Sequence, residues 1–155
     1  MKIMVDANII ISAVLFPKSI ISETLKHIVS NYKIILSQYT IDEINMVFNN
    51  KFPHRTGEMN KYFEKLPYEL FVLKKIDEKK YPAIRDIGDI PVLAHAIESN
   101  ADIFITGDKD FEEIKTRKPK IMKPKEYKDK YMKKELTGYF GKITLDVDLD
   151  KLRKR

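Results

Sequence analysis

Lys2-Ile3-Met4-Val5-Asp6-Ala7-Asn8 sets a short apolar run directly against a carboxylate, and this junction decides how the rest of the chain reads. Such a run is the pattern of a strand buried in a parallel sheet, and parallel sheets present their functional crevice at the carboxyl ends of their strands. Outward from it, Asn8 opens a helical stretch in which Ile9, Ile10, Ala13, Val14 and Phe16 are apolar before Pro17 ends it. Residues 19–30 predict a second helix, with Ile20, Ile21, Leu25, Ile28 and Val29 at helical spacing, and Lys33-Ile34-Ile35-Leu36 is the next strand. Residues 40–52 read as a helix, because Thr40-Ile41-Asp42-Glu43 has the spacing of a capping box and Ile44, Val47 and Phe48 form an apolar stripe.

Further along, residues 57–66 predict a polar helix and Leu70-Phe71-Val72-Leu73 a strand. Pro91 in a first turn starts a helix through Val92, Leu93, Ala96 and Ile97. Residues 101–105 predict a strand, 108–114 a short helix, Ile121-Met122 an edge strand and 124–134 a helix. Strands alternating with helices imply βαβ units and a mostly parallel sheet covered on both faces. Beyond residue 135, Ile143, Leu145, Val147 and Leu149 alternate with Thr144, Asp146, Asp148 and Asp150, the period of a half-buried strand.

The chain has 155 residues, the commonest size of a single domain, and its 43% hydrophobic content is too high for a disordered segment. With only 5 Gly and 7 Pro it is not collagen-like. No apolar run is long enough to span a membrane and no signal-peptide core follows Met1, so the expectation is a cytoplasmic protein with no membrane partner. The absence of Cys excludes disulfides, thiolate zinc sites and cysteine nucleophiles. Chemistry is left to carboxylates, three His and hydroxyls.

Net charge is +6, but it is segmental: residues 1–114 carry 14 Lys/Arg against 17 Asp/Glu, whereas residues 115–135 carry 10 against 3. An acidic body with a basic run suits a polyanionic partner, and an abundant solvated lysine face explains the run equally well. Tyr127 and Tyr131 lie four apart within it, a spacing that serves base stacking or, as the better expectation, packing in the core.

Asp6 follows the first strand, and Asp108 and Asp110 follow the strand at 101–105, so two strands deliver acids to one sheet edge. Asp86 and Asp89 precede the helix leading into that second strand, and Glu43 sits in the first turn of another helix. Carboxylates gathered in one crevice repel one another unless a cation fills it. The guest suited to oxygen ligands and to a substrate phosphate is Mg2+ or Mn2+, which fits metal-assisted phosphodiester hydrolysis. Each acid alone has a plainer explanation: a turn or cap for Asp6, a capping box for Glu43, N-caps for Asp89 and Asp108. Their joint placement is what argues for a site. Asn8 and Ser12, one helical turn apart behind Asp6, are placed to orient its carboxylate; Thr106 is placed to do the same for Asp108.

These residues together, namely residues 2–8 with Ser12, Glu43, Arg85-Asp86-Ile87-Gly88-Asp89-Ile90-Pro91-Val92-Leu93-Ala94 and Thr106-Gly107-Asp108-Lys109-Asp110-Phe111, resemble the PIN-domain nucleases, most nearly the VapC-like toxins of toxin–antitoxin pairs. The resemblance runs over residues 1–127 and closes on Lys123-Pro124-Lys125-Glu126-Tyr127; Ala7 stands where the family commonly has a hydroxyl residue. It implies a three-layer α/β/α sandwich and a Mg2+- or Mn2+-dependent endoribonuclease, often a homodimer and often restrained by a cognate antitoxin. Carried across, Asp6, Glu43, Asp89, Asp108 and Asp110 are the catalytic acids and Asp6, Asp89 and Asp108 the metal ligands. Asn8, Ser12, Asp86 and Thr106 support them. The nuclease domain is then residues 1–134, with 135–155 an extension of open role.

Other motifs fail. Asp108-Lys109-Asp110 lacks the turn glycine of a calcium loop, no glycine pattern makes a nucleotide-binding loop, and His27, His54 and His95 lack metal-ligand spacing. A receiver-like phosphoacceptor lacks its later lysine. The competing function is a catalytically silent RNA- or partner-binding module on the same fold, distinguished by RNA binding without metal-dependent cleavage.

Overall fold

In the computed structural model, residues 1–132 are described; the extension at 135–155, the strand pattern at 143–149 and the end of the expected helix at 124–134 lie outside them. Strand β1 (Lys2–Val5) is central, flanked by β2 (Lys33–Ser37) and β4 (Ile103–Ile105), with β3 (Tyr68–Phe71) outside β2 and β5 (Lys120–Met122) outside β4. Every pairing is parallel, as the apolar runs predict. The chain winds outward from β1 to β3, then returns to the other side of β1. Right-handed crossovers place the helices of the two halves on opposite faces when the direction reverses, and the reversal lies between β1 and β4.

Side chains sort accordingly with a period of two. Ile3, Val5, Ile34, Leu36, Ile103 and Ile105 point to one face. There they meet α1 (Ala7–Leu15), α2 (Ile20–Asn31), α3 (Gln38–Lys51) and α4 (Thr56–Lys65) through residues such as Ile10, Leu25, Phe48 and Met59. Met4, Ile35 and Phe104 point to the other, against Val92, Leu93 and Ala96 of α5 (Ile90–Glu98) and against Phe111. The result is the α/β/α sandwich the resemblance implies.

Several expected elements shift. The capping box at Thr40 and Glu43 does not form: β2 runs into α3 without a loop, so Ser37 is the cap, its Oγ accepting from the Thr40 N–H and donating to Thr40 Oγ1, both at 3.0 Å. Glu43 is thereby left in the helix interior, free of any capping duty. The third strand lies at Tyr68–Phe71 rather than 70–73, an edge strand whose exposed residues carry no clean burial pattern. The strand expected at 101–105 shortens to Ile103–Ile105, and the helix expected at 108–114 is a 3-10 turn, Lys109–Phe111. At the end, α6 (Pro124–Tyr127) passes into a π-helical turn, Lys128–Met132. Tyr127 is fully buried, its hydroxyl 2.8 Å from His27 Nδ1 and its ring stacked on Tyr131, so this tyrosine pair packs as core.

Candidate active site

The switch point between β1 and β4 fixes the first wall of the site. Asp6 caps α1 and is only 7% exposed: its Oδ1 accepts from the Ala7 N–H and its Oδ2 from the Thr106 hydroxyl, both at 2.8 Å. Thr106 Oγ1 also accepts from the Asp108 N–H at 3.1 Å, and Asp108 Oδ1 from the Asp110 N–H at 2.9 Å. Thr106 therefore supports the Asp6 carboxylate rather than that of Asp108, because the parallel pairing sets the strand ends side by side. Asn8 is exposed in the first turn of α1, and among the described residues neither it nor Ser12 bonds to Asp6. The cap explanations for Asp6 and Asp108 hold alongside their place in the cluster. Asp89 stands at the N-cap of α5 but makes no capping bond with its side chain.

The second wall is the turn ahead of α5. Asp86 Oδ1 accepts from the Gly88 N–H at 2.9 Å, and the Asp89 N–H donates to Asp86 O at 3.0 Å, which folds both acids back on themselves. A Cβ at position 88 would lie 3.2 Å from Asp86 Oδ1, tight enough to disturb it. Oxygens of Asp86, Asp89 and Asp110 lie within 4.8 Å of one another. Asp6 and Asp108, named with Asp89 as ligands from the sequence, adjoin this trio and are not part of it. The Arg85 guanidinium, 86% exposed, reaches Asp110 Oδ1 at 2.8 Å.

Electrostatics tie both walls together. Burial pushes the Asp89 carboxyl up to about 6, helped by the Asp108 and Asp86 charges and then by Asp110. Asp6 is raised by burial and by Asp108, against the lowering effect of its hydrogen bonds, and Glu43 is raised by burial and by Asp6. The expected acids thus sense one another as a single set. All these shifts run toward binding a positive charge. The donor set is entirely carboxylate oxygen, and Asp89 Oδ2 is buried with no hydrogen-bond partner among the described residues. Hard oxygen donors with a buried oxygen to spare fit Mg2+ or Mn2+.

Sequence reasoning missed three neighbours. Tyr39 is raised by burial and by the charges of Glu43, Asp89 and Asp86, and its ring stacks on the buried His95 at 6.2 Å between centroids. His95 Nδ1 is bonded to Pro91 O at 2.7 Å. The signal for Tyr39 was its place four residues before Glu43 on one helix face. Arg85 lay inside the quoted motif without a role.

A family model described as PIN domain matches residues 2–110. Among solved structures, the chain is similar to VapBC2 from Rickettsia felis bound to a DNA fragment from their promoter, with a TM-score of 0.61 and 17% identity over 79% of this chain and 98% of that one. No curated protein matches.

Proposed function

Since the chain belongs to the PIN domain family, a family of nucleases, we propose that it is a divalent-metal-dependent endoribonuclease that acts as the toxin of a toxin–antitoxin pair. The single observation that carries the reading is that Asp89, whose Oδ2 is buried without a hydrogen-bond partner among the described residues, belongs to a trio of carboxylates with oxygens within 4.8 Å of one another. Asp86, Asp89 and Asp110, with Asp6 and Asp108 adjoining, would hold Mg2+ or Mn2+. When bound, the ion supplies activation of the attacking water and neutralisation of the charge that grows on the phosphate.

The protein's own groups do the rest. Thr106 and the Ala7 N–H hold Asp6 in one orientation, so that its carboxylate costs no reorganisation during reaction. Glu43, half-buried and raised, is suited to take the proton of the attacking water as its oxygen bonds to phosphorus and the P–O bond to the leaving ribose oxygen breaks, that oxygen taking its proton from solvent. A cognate antitoxin belongs to the same reading, supported by likeness to a VapBC2 assembly, and a homodimer and a cytoplasmic location are proposed with it. No single helix among the described residues is long and apolar enough to cross a membrane.

The test is cleavage of a panel of RNAs by purified protein with Mg2+ or Mn2+, in chelator, and by Asp6→Asn and Asp108→Asn. Cleavage that stops in chelator and in both folded variants supports the reading. RNA binding without cleavage on any substrate favours the silent module.

A further inference from the structure

We infer that the cavity beside the acidic pocket is a phosphate-binding trough that guides the RNA strand past the cleavage site; this rests on the ribonuclease reading. The cavity encloses about 610 Å3, well within the roughly 300–1,000 Å3 of ligand-binding clefts. Thr106 and Asp108 line it together with four cations, Lys115, Arg117, Lys120 and Lys123, and two further acids, Glu112 and Glu126. Lys115, Arg117 and Lys120 are exposed and join no ion pair among the described residues; Lys123 is held by Glu112. Ile114 and Ile121, half-buried against the α5 side of the core, give the trough an apolar floor. A second cavity of about 450 Å3 shares Lys123 with it and is bordered by Ile20, Gly107, Lys125, Lys128 and Asp129.

Chemistry selects the ligand. A pocket of six carboxylates repels every phosphate that approaches it, and an ion within it offsets only the charge at the centre. A substrate with a phosphate at each nucleotide needs compensating charge along its path as well. Several exposed cations in an open channel suit repeated phosphates of one strand, while an apolar floor suits the faces of bases or riboses. Four of the ten cations in the basic run that composition singles out thus lie where a strand entering the acids would pass.

The experiment measures binding apart from cleavage. The full chain is titrated in EDTA with a mixed-sequence, 12-nucleotide single-stranded RNA at several salt concentrations, beside Lys115→Gln/Arg117→Gln/Lys120→Gln and a control, Lys51→Gln/Lys61→Gln/Lys65→Gln. Each phosphate contact on a single strand contributes about 0.7 to the slope of log affinity against log salt. Losing three lowers the slope by about 2 and the affinity at 0.1 M salt by about 100-fold. The trough variant showing this loss, with the control at wild-type affinity, bears the proposal out. It is overturned by wild-type affinity in the trough variant, by an equal loss in the control, or by absence of binding in the parent protein. A parent that binds through the trough yet cuts nothing defeats the ribonuclease reading and leaves the trough intact.

Discussion

The acids at the ends of β1 and β4 and those in the turn ahead of α5 reach one pocket by different physical means. The first group stands on the buried centre of the sheet: the Asp6 N–H donates to Ile105 O and the Thr106 N–H to Met122 O, each at 3.0 Å. Both oxygens of Asp6 also have partners. The second group stands on a 3-10 turn, Ile87–Asp89, with no buried residue, stitched by two local bonds, and there Asp89 Oδ2 has no partner among the described residues. One half of the site is made stable by the fold, whereas the other is left electrostatically unsatisfied. A bound cation therefore has most to offer at Asp89.

The sharpest way to break this contrast is Asp89→Asn. Cleavage should fall about 100-fold or more, the scale of losing one preorganised electrostatic group. The same change should stabilise the metal-free protein. The folded carboxyl is pushed from 3.8 to about 6, so the folded state binds its proton more tightly than the unfolded chain. Stability from this group is therefore intact at low pH and drains away as pH rises from about 4 to about 6. At 1.36 kcal/mol per unit the full loss is about 3 kcal/mol, reduced by solvent screening to about 1–2 kcal/mol. Thermal melts in EDTA between pH 4 and 7 should show a shallower decline in the variant, with Asp6 and Glu43 contributing what remains. Identical slopes would remove the special status of the turn.

Thr106→Val attacks the other half. It keeps the shape of a fully buried side chain but takes the donor from Asp6 Oδ2 and the acceptor from the Asp108 N–H. The expected cost is about 1–3 kcal/mol in denaturant unfolding, with a 10- to 100-fold loss of metal affinity or activity. Asn8→Ala and Ser12→Ala, by contrast, should leave stability within about 0.5 kcal/mol. If they cost as much as Thr106→Val, Asp6 is held by α1 and not by the neighbouring strand.

Legibility in the sequence followed the same division. Apolar runs with an acid within three residues of their ends exposed β1 and β4 and so Asp6 and Asp108, because a buried parallel strand leaves a composition signal without reference to its partners. That Thr106 serves Asp6, a hundred residues away, depends on which strands lie side by side, which spacing does not encode. Ser37 was hidden because Thr40 and Glu43 mimic a cap three residues later, and only the absence of a loop after β2 decides between them. β3 slipped by two residues since an exposed edge strand has no buried face to fix its register. Tyr39 and His95 meet across α3 and α5, a contact made by packing alone.

Ser37→Ala and Glu43→Gln separate stability from chemistry within one helix. Removing the cap should cost about 1 kcal/mol of unfolding free energy and leave cleavage near wild type. Glu43→Gln should do the reverse: no loss of stability, since burial and Asp6 already disfavour its charge, with a clear loss of cleavage. Equal destabilisation by the two would restore the capping role to Glu43.

The smallest expected effect is that of Arg85→Ala, and its sign is informative. The Arg85 ion pair with Asp110, at 2.8 Å, is the one cationic contact on the trio among the described residues, and the guanidinium is mostly in water. An exposed pair of this kind contributes about 0–1 kcal/mol, so unfolding should barely change. Metal binding should respond more clearly, because Arg85 competes with an ion for the Asp110 oxygens and repels it besides. Losing up to about 1 kcal/mol of that competition corresponds to roughly a five-fold gain in Mn2+ affinity by calorimetric titration. A weaker affinity instead would mean that Arg85 holds Asp110 in place for the ion, and the turn ahead of α5 would then be as preorganised as the strand ends it faces.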